Sequence, residues 1–343
     1  MAYLELLAGF VLLVVGGEIL VRNSVSVARR LGVSPLLIGL TLVGFGTSTP
    51  ELVTSLQAAL AGAPGIAIGN VLGSNIANIL FILGMAAFIH PIVQTDAPGY
   101  DRDAIALIAS AVAGGGLILS GHIGRISGVM LLLALVFYIV RTYQAESRAT
   151  ASQTHTVPGG PVLKNSDRIN SENIGHLPTN EGRAGLRRSR DMPAWAGTLL
   201  ALAGIAITIF GAGLMVEGSV SIARHMGLSE SIIGLTIVAI GTSLPEMTTS
   251  VLAALRKEPG IAIGNIIGSN IYNILGILGL TALISPISIP ADIGLMDVTL
   301  MLASTLALCW FGFGGWRISR REGLALLAAY AGYVLCLGLA ATA

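Results

Sequence analysis

The sequence predicts an all-α membrane protein in which ten transmembrane helices form two inverted five-helix repeats. Three observations support this fold class. The chain of 343 residues is 54% hydrophobic and only 11% charged, whereas soluble domains carry about 25% charged residues. Apolar segments of about 20 residues, long enough to cross a bilayer, recur along the chain. Finally, the two halves of the sequence repeat each other at a constant offset of 195 residues.

Ten apolar segments are predicted to span the membrane. They cover residues 3–22, 34–61, 66–89, 103–120, 124–143, 194–216, 229–255, 261–284, 293–312 and 323–341. Such long, continuously apolar segments do not suit the strands of a membrane barrel. The first segment has no basic leader before it, so we interpret it as a span and not as a removed signal peptide.

The basic residues predict how these spans are oriented. With both chain termini outside, 17 of the 19 Lys and Arg residues lie on one side, and only Arg125 and Arg224 lie on the other. The positive-inside rule makes the basic side the cytoplasm. Residues 1–143 and 193–343 then hold five spans each, and an odd number inverts the second half relative to the first. The polar segment 144–192 is predicted to be a disordered cytoplasmic linker.

A motif in the second span returns in the seventh. GTSTPELVTS at 46–55 is repeated as GTSLPEMTTS at 241–250. Each copy places a glutamate, Glu51 or Glu246, in an apolar span, where a carboxylate is costly and indicates a functional site. The proline before each glutamate removes a helical hydrogen bond, so both spans are predicted to break at Gly-Thr-Ser. Such a break frees backbone carbonyls and presents the hydroxyls of four residues: Thr47, Ser48, Thr242 and Ser243.

A second motif follows in the next span of each half. GIAIGNVLGSNIANIL at 65–80 returns as GIAIGNIIGSNIYNIL at 260–275. Its polar residues recur every four positions and therefore share one helix face. They are Asn70, Ser74 and Asn78 in the first half, and Asn265, Ser269 and Asn273 in the second. Together with the glutamates they form an oxygen-only set that suits a hard cation such as Ca²⁺ or Na⁺.

These two motifs resemble the α-repeats of the cation/calcium exchanger superfamily, which includes the sodium/calcium exchangers, and they are most similar to its small prokaryotic members. The resemblance implies that the two glutamates bind Ca²⁺ and Na⁺, and that the neighbouring threonines supply hydroxyl and carbonyl oxygens. It also implies a role in Na⁺ binding for Ser74, Ser269 and the carbonyls of Gly44 and Ala239, with Asn78 and Asn273 facing the centre. Some family members carry an aspartate at one of these central asparagine positions, whereas this chain has none there. The mechanism implied is that helices 1 and 6 slide across the other eight.

The sequence therefore predicts an antiporter that exchanges Ca²⁺ for Na⁺ by alternating access through one site near the membrane midplane. The expected location is a plasma membrane, specifically a bacterial inner membrane. Exchange of Ca²⁺ for H⁺ is the alternative, because buried carboxyl groups also bind protons. A cation channel is disfavoured because channel filters are usually rings of identical subunits. The sequence does not predict enzymatic activity or a cofactor. The predicted partners are the transported ions and the lipid bilayer, with no nucleic acid or protein partner.

Glu18 is an acidic residue of the first span that lies outside both motifs. Arg22 follows it by four residues on the same helix face. The spacing favours a structural ion pair of the two at the membrane edge, and the alternative is a role of Glu18 in transport. Glu217, in the sixth span, receives no role.

Overall fold

The computed structural model describes residues 2–31, 35–60, 62, 64–93, 100–154, 194–225, 239–290, 293–313 and 317–342. Most of the described chain is helical, in line with the predicted class. Three segments of π-helix and four strands of two residues each interrupt the α-helices within these ranges. The sequence analysis did not foresee either feature.

From Gly44 onward, the described elements of the first half recur in the same order in the second. The first half has α1 (Ala2–Leu31), α2 (Pro35–Ile38), π1 (Gly39–Val43), α3 (Gly44–Thr47), α4 (Thr49–Leu60), α5 (Pro64–Ala77), π2 (Asn78–Leu83), α6 (Gly84–Ile89), β1 (Ile92–Val93), α7 (Tyr100–Leu119), β2 (His122–Ile123) and α8 (Arg125–Thr154). The second half has α9 (Ala194–His225), α10 (Ala239–Thr242), α11 (Leu244–Leu255), α12 (Pro259–Tyr272), π3 (Asn273–Leu278), α13 (Gly279–Ile284), β3 (Ile287–Ser288), α14 (Leu295–Phe313), β4 (Arg317–Ile318) and α15 (Arg320–Thr342). From α4 onward, every element of the first half has a counterpart that begins 195 residues later.

Six described helices are long and apolar enough to cross a membrane. They contain Tyr3–Val27, Ala67–Ile89, Asp101–Leu119, Arg125–Ala145, Pro259–Ile284 and Arg320–Leu339. A bent pair, Leu36–Thr47 with Thr49–Leu60, makes a seventh if it is one span, and Trp195–Gly211 and Leu295–Phe311 are shorter apolar helices. The predicted seventh span, 229–255, begins outside the described residues. The protein is thus an integral multi-pass membrane protein, and the number of ten spans stays a prediction.

Both glutamate-bearing spans are interrupted at the serine of Gly-Thr-Ser. The helix axis bends by 41° between Thr47 and Thr49, and Ser48 adopts φ −81° and ψ 10°, outside the helical region. In the second half Ser243 has nearly the same conformation, φ −88° and ψ 4°. The predicted break is confirmed, and it places each glutamate in the first turn of a new helix.

Short strands and close helix crossings tie the two halves together reciprocally. β1 pairs with β4, and β2 pairs with β3, both antiparallel. A Cβ atom on Gly128 would lie 2.6 Å from the carbonyl oxygen of Gly279, and one on Gly323 would lie 2.8 Å from that of Gly84. The backbones of α8 and α13, and of α15 and α6, therefore touch. These paired contacts are the pattern that a two-fold relation between the halves produces.

Helices α1 and α9 pack mainly against each other, at the side of the main core. Their contact is close because a Cβ atom on Gly204 would lie 2.7 Å from the backbone nitrogen of Leu20. Leu20 and Ala201 belong to a hydrophobic cluster distinct from the larger one, which is built on α5, π2, α12 and π3. This second cluster also contains Val43 and Ala253, so it lies between the α1–α9 pair and the central helices.

Helix α8 extends past the predicted start of the linker. The linker was predicted to begin at residue 144, but the helix continues to Thr154. The segment QAESRATASQT contains no proline or glycine and several good helix formers, which explains the extension. Residues 155–193, most of the predicted linker, lie outside the described part of the chain.

Candidate cation-binding site

The structure brings the two motif glutamates together, each held by a serine of the other half. Ser48 Oγ donates to Glu246 Oε1 at 2.7 Å, and Ser243 Oγ donates to Glu51 Oε1 at 3.1 Å. Both glutamates are 1% exposed. Since carboxylates so deeply buried need compensation, this pairing identifies the centre of a polar site inside an apolar protein.

Asn70, on α5, connects the first-half glutamate to the second half. Its Nδ2 donates to the backbone carbonyl of Glu51 at 3.1 Å and to Ser55 Oγ at 2.9 Å. Its Oδ1 accepts from Thr242 Oγ1 at 3.4 Å. All of these residues are buried. The amide thus braces the first turn of α4 against the threonine of the opposite motif.

Asn265, on α12, makes the equivalent set of contacts in the other direction. Its Nδ2 donates to the carbonyl of Glu246 at 3.3 Å and to Ser250 Oγ at 2.9 Å. Its Oδ1 accepts from Thr47 Oγ1 at 3.2 Å. The motif predicts both asparagines as oxygen ligands of a cation. In the structure, however, the oxygen and the nitrogen of each side-chain amide both contact protein. Their geometry is that of braces between the half-sites.

The serines of the second motif reach the opposite half-site as well. Ser269 Oγ donates to the carbonyl oxygen of Gly44 at 3.2 Å, and Ser243 Oγ lies 3.4 Å from Ser74 Oγ. The first contact depends on close backbone packing, because a Cβ atom on Gly264 would lie 2.6 Å from the carbonyl oxygen of Leu36. Gly44, Ser74 and Ser269 are thus among the predicted site residues that the fold brings together.

Several oxygens of this cluster have no hydrogen-bond partner in the described part of the chain. They are Oε2 of both glutamates, Oδ1 of Asn78 and Oδ1 of Asn273, and Asn273 Nδ2 also lacks a partner. Asn78 and Asn273 are each 1% exposed and are the first residues of π2 and π3. Single π-helical turns often occur at functional sites. Buried oxygen acceptors without donors fit a hard cation, which requires oxygen ligands.

Eleven of the twelve predicted site residues have described surroundings. The remaining one, Ala239, begins α10, but its side-chain environment lies outside the described residues. The sequence analysis missed Ser55 and Ser250, which follow the glutamates by four residues and bind the bracing asparagines. Their recurrence at the same place in both motifs was the signal that could have identified them. Thr249, buried beside Glu246 in α11 with no partner for Oγ1 among the described residues, was also missed.

The predicted ion pair of Glu18 with Arg22 is wrong. Glu18 instead pairs with Arg256, whose Nε donates to Glu18 Oε2 at 2.7 Å. Arg256 is the C-cap residue of α11, and Glu18 lies in α1, so the ion pair joins the α1–α9 pair to a glutamate-bearing helix. Packing between helices distant in sequence has overridden the local spacing of four residues.

The ion pair is expected to contribute only a little to stability. Both side chains are more than a third exposed, and exposed pairs are typically worth about 0.2–1 kcal/mol. A double-mutant cycle of Glu18→Gln and Arg256→Gln, followed by thermal unfolding, should give a coupling energy in that range. Arg22→Gln is the control and should show no coupling to Glu18→Gln. Coupling of Glu18 to Arg22 in its place would contradict the pairing.

Comparisons with known proteins identify the family and agree with the helical membrane fold. A family profile described as "Sodium/calcium exchanger protein" matches residues 1–144 and 196–339. The chain is 37% identical to the putative antiporter CaxA of Alkalimonas amylolytica, over 97% of both chains, and 36% identical to the sodium/calcium exchanger MaX1 of Methanosarcina acetivorans, over 98% of both. It also matches the structure of the sodium-calcium exchanger NCX_Mj soaked with Na⁺ and Sr²⁺, with a TM-score of 0.75, 30% identity and 97% coverage of both chains.

The fold and the buried oxygen cluster thus define a membrane transporter of the cation antiporter class. The chain belongs to the sodium/calcium exchanger family.

Proposed function

We propose that this protein exchanges Ca²⁺ for Na⁺ across the membrane by alternating access through one site near the midplane. The observation that carries the proposal is the reciprocal pair of buried glutamates, each with one oxygen bound by a serine and one without a donor among the described residues. A buried pair of carboxylates has a charge of −2, which one Ca²⁺ or two Na⁺ would balance. The likeness to MaX1 and NCX_Mj supports the same two ions.

The side chains around the glutamates would replace the water of a transported ion. Ca²⁺ takes about six to eight oxygen ligands, and the cluster offers carboxylate, hydroxyl, amide and carbonyl oxygens. Ser48 and Ser243 direct one oxygen of each carboxylate and leave Oε2 for the ion. Asn70 and Asn265 fix the backbone that carries these glutamates. Thr47, Thr242, Asn78 and Asn273 complete the proposed ligand set, with Ser74, Ser269 and the carbonyls of Gly44 and Ala239 as the proposed Na⁺ ligands.

Alternating access needs two units that can move relative to each other. The α1–α9 pair packs mainly against itself and contacts the glutamate-bearing helices on one side. We propose that this pair slides across the remaining helices and so exposes the site to one side of the membrane at a time. In the orientation predicted from the basic residues, the strand pair β1–β4 lies on the cytoplasmic side and β2–β3 on the outer side, so each pair joins loops predicted to share a side.

Uptake of radioactive Ca²⁺ into proteoliposomes loaded with Na⁺ tests the function. Uptake should require an outward Na⁺ gradient and should stop when internal Na⁺ is replaced by choline. Equal uptake with and without the Na⁺ gradient would rule out Na⁺ coupling. The matched control is protein-free liposomes carrying the same gradient.

Exchange of Ca²⁺ for H⁺ is the second candidate because two buried carboxyl groups could each bind a proton. A pH gradient imposed without Na⁺ separates the two functions. Ca²⁺ uptake driven by that gradient alone would favour H⁺ coupling, whereas uptake only with Na⁺ would favour the first proposal.

A further inference from the structure

A groove of about 850 Å³ runs between α7 and α8, and its lining includes none of the twelve predicted site residues. Its α7 wall is formed largely by small residues, including Ala106, Ala109, Ala113 and Gly116, and its remaining lining is mostly apolar. From Gly116 to Arg102 the groove covers about 21 Å of α7, at a rise of 1.5 Å per residue. This long, narrow and apolar shape suits a flexible hydrocarbon chain.

Two arginines line the same end of this groove, Arg102 on α7 and Arg141 on α8. Arg141 lies over the ring of Phe137, with 5.8 Å between the guanidinium carbon and the ring centroid. Arg102 donates from Nε and Nη2 to Asp103, at 2.9 and 3.1 Å. Asp103 is buried and also accepts from Tyr138 at 3.2 Å. A guanidinium has five N–H donors in a rigid fork that fits phosphate oxygens. The apolar groove therefore has, at one end, two side chains suited to binding an anion.

The second half shows that this arrangement is not a by-product of the repeat. Tyr333 donates to Asp297 at 3.2 Å, as Tyr138 does to Asp103. At the offset of 195 residues that relates the halves, the counterparts of Arg102, Arg141 and Gly116 are Asp297, Cys336 and Phe311. The tyrosine–aspartate contact is shared, whereas the arginines and the small residue at the far end of the groove occur only in the first half.

We propose that the α7–α8 groove binds an anionic phospholipid, with an acyl chain along the small residues and the phosphate at Arg102 and Arg141. The positive-inside topology puts both arginines at the cytoplasmic surface, where anionic lipids attract basic residues. Leu275, which lines the groove, belongs to π3, two residues after Asn273. A bound lipid therefore contacts the segment that presents Asn273 to the cation site and is expected to stabilise it.

Thermal unfolding of the purified full chain, with phosphatidylglycerol or phosphatidylcholine added, tests the proposal. Phosphatidylglycerol should raise the midpoint more than phosphatidylcholine does. Arg141→Gln should weaken its apparent affinity about fivefold, the effect of one basic residue near an anionic surface. Arg125→Gln is the matched control, because Arg125 is exposed at the other end of α8 and does not line the groove. This variant should still be stabilised more by phosphatidylglycerol than by phosphatidylcholine.

A second variant separates the groove from general charge attraction. Ala113→Phe fills the groove at an exposed position without changing any charge, and it should also remove the preference for phosphatidylglycerol. Inorganic phosphate, which has no acyl chain, should not reproduce the stabilisation. Equal stabilisation by both lipids, equal loss in Arg125→Gln and Arg141→Gln, or full binding by Ala113→Phe would each overturn the proposal. Because none of these readouts measures transport, the result does not depend on the proposed function.

Discussion

Glu51→Gln is expected to lower the affinity for Ca²⁺ on the order of 100-fold and to remove Na⁺-driven Ca²⁺ uptake. Glutamine keeps the size of the side chain and can still accept from Ser243, but it removes half of the negative charge at the site. Losing one member of a buried, oppositely charged set costs about 3 kcal/mol, which corresponds to that change in affinity. Glu246→Gln should behave alike, because its contacts are reciprocal.

The experiment combines transport with a binding measurement. Uptake of radioactive Ca²⁺ gives the activity, and the shift of the unfolding midpoint with added Ca²⁺ gives the affinity, since a ligand stabilises the state that binds it. Glu258→Gln is the control: this acidic residue lies in the turn before α12, outside the oxygen cluster. The variant at 51 should fold without Ca²⁺ but lose the Ca²⁺-dependent stabilisation. Wild-type uptake by Glu51→Gln would remove this glutamate from the site.

Asn265→Leu is expected to destabilise the protein by about 3 kcal/mol and to weaken Ca²⁺ binding as well. Leucine is similar in size but cannot donate to the carbonyl of Glu246 or to Ser250 Oγ. Each buried polar group left without its partner costs about 1–3 kcal/mol. The backbone that carries Glu246 would also lose its brace, so we expect the affinity to fall together with the stability. Asn70→Leu should show the same combination.

Asn270 provides a matched control one turn further along α12. It is also a buried asparagine, 1% exposed, but within the described part of the chain its Nδ2 donates to the carbonyl of Ile266 in the same helix, at 2.7 Å, and to no group of the other half. That carbonyl belongs to the helix interior, so Asn270→Leu should cost less than Asn265→Leu in thermal unfolding. Equal destabilisation by the two variants would show that Asn265 does not act as a brace between the halves.

The sequence was informative about the site because the repeat limits the possible arrangements. Polar residues in an apolar span must face protein. When the same polar residues occur at the same positions in both halves, they can form their hydrogen bonds with each other. The glutamates, the Gly-Thr-Ser breaks and the serines of the second motif could therefore be assigned before any coordinates. The role of Asn70 and Asn265 could not, because an amide donates or accepts equally well until its neighbours are known.

Three other features could not be predicted from the sequence, each for a different physical reason. The partner of Glu18 is 238 residues away, and local spacing carries no information about such a contact. The π-helical turns at Asn78 and Asn273 arise from how packed helices accommodate an extra residue, and side-chain periodicity does not predict them. The end of α8 was misplaced because the linker was judged by its polarity, although its first residues are good helix formers.

The reciprocal contacts between the halves also bear on how the chain is made. Ribosomal synthesis delivers Glu51 and β1 long before Ser243 and β4, their partners in the second half. The glutamate of the first half is therefore synthesised 192 residues before the hydroxyl that holds it, and β1 can pair with β4 only when translation is nearly complete. The last contacts between the halves thus depend on the last helices to be made, as in a dimer whose subunits share one polypeptide.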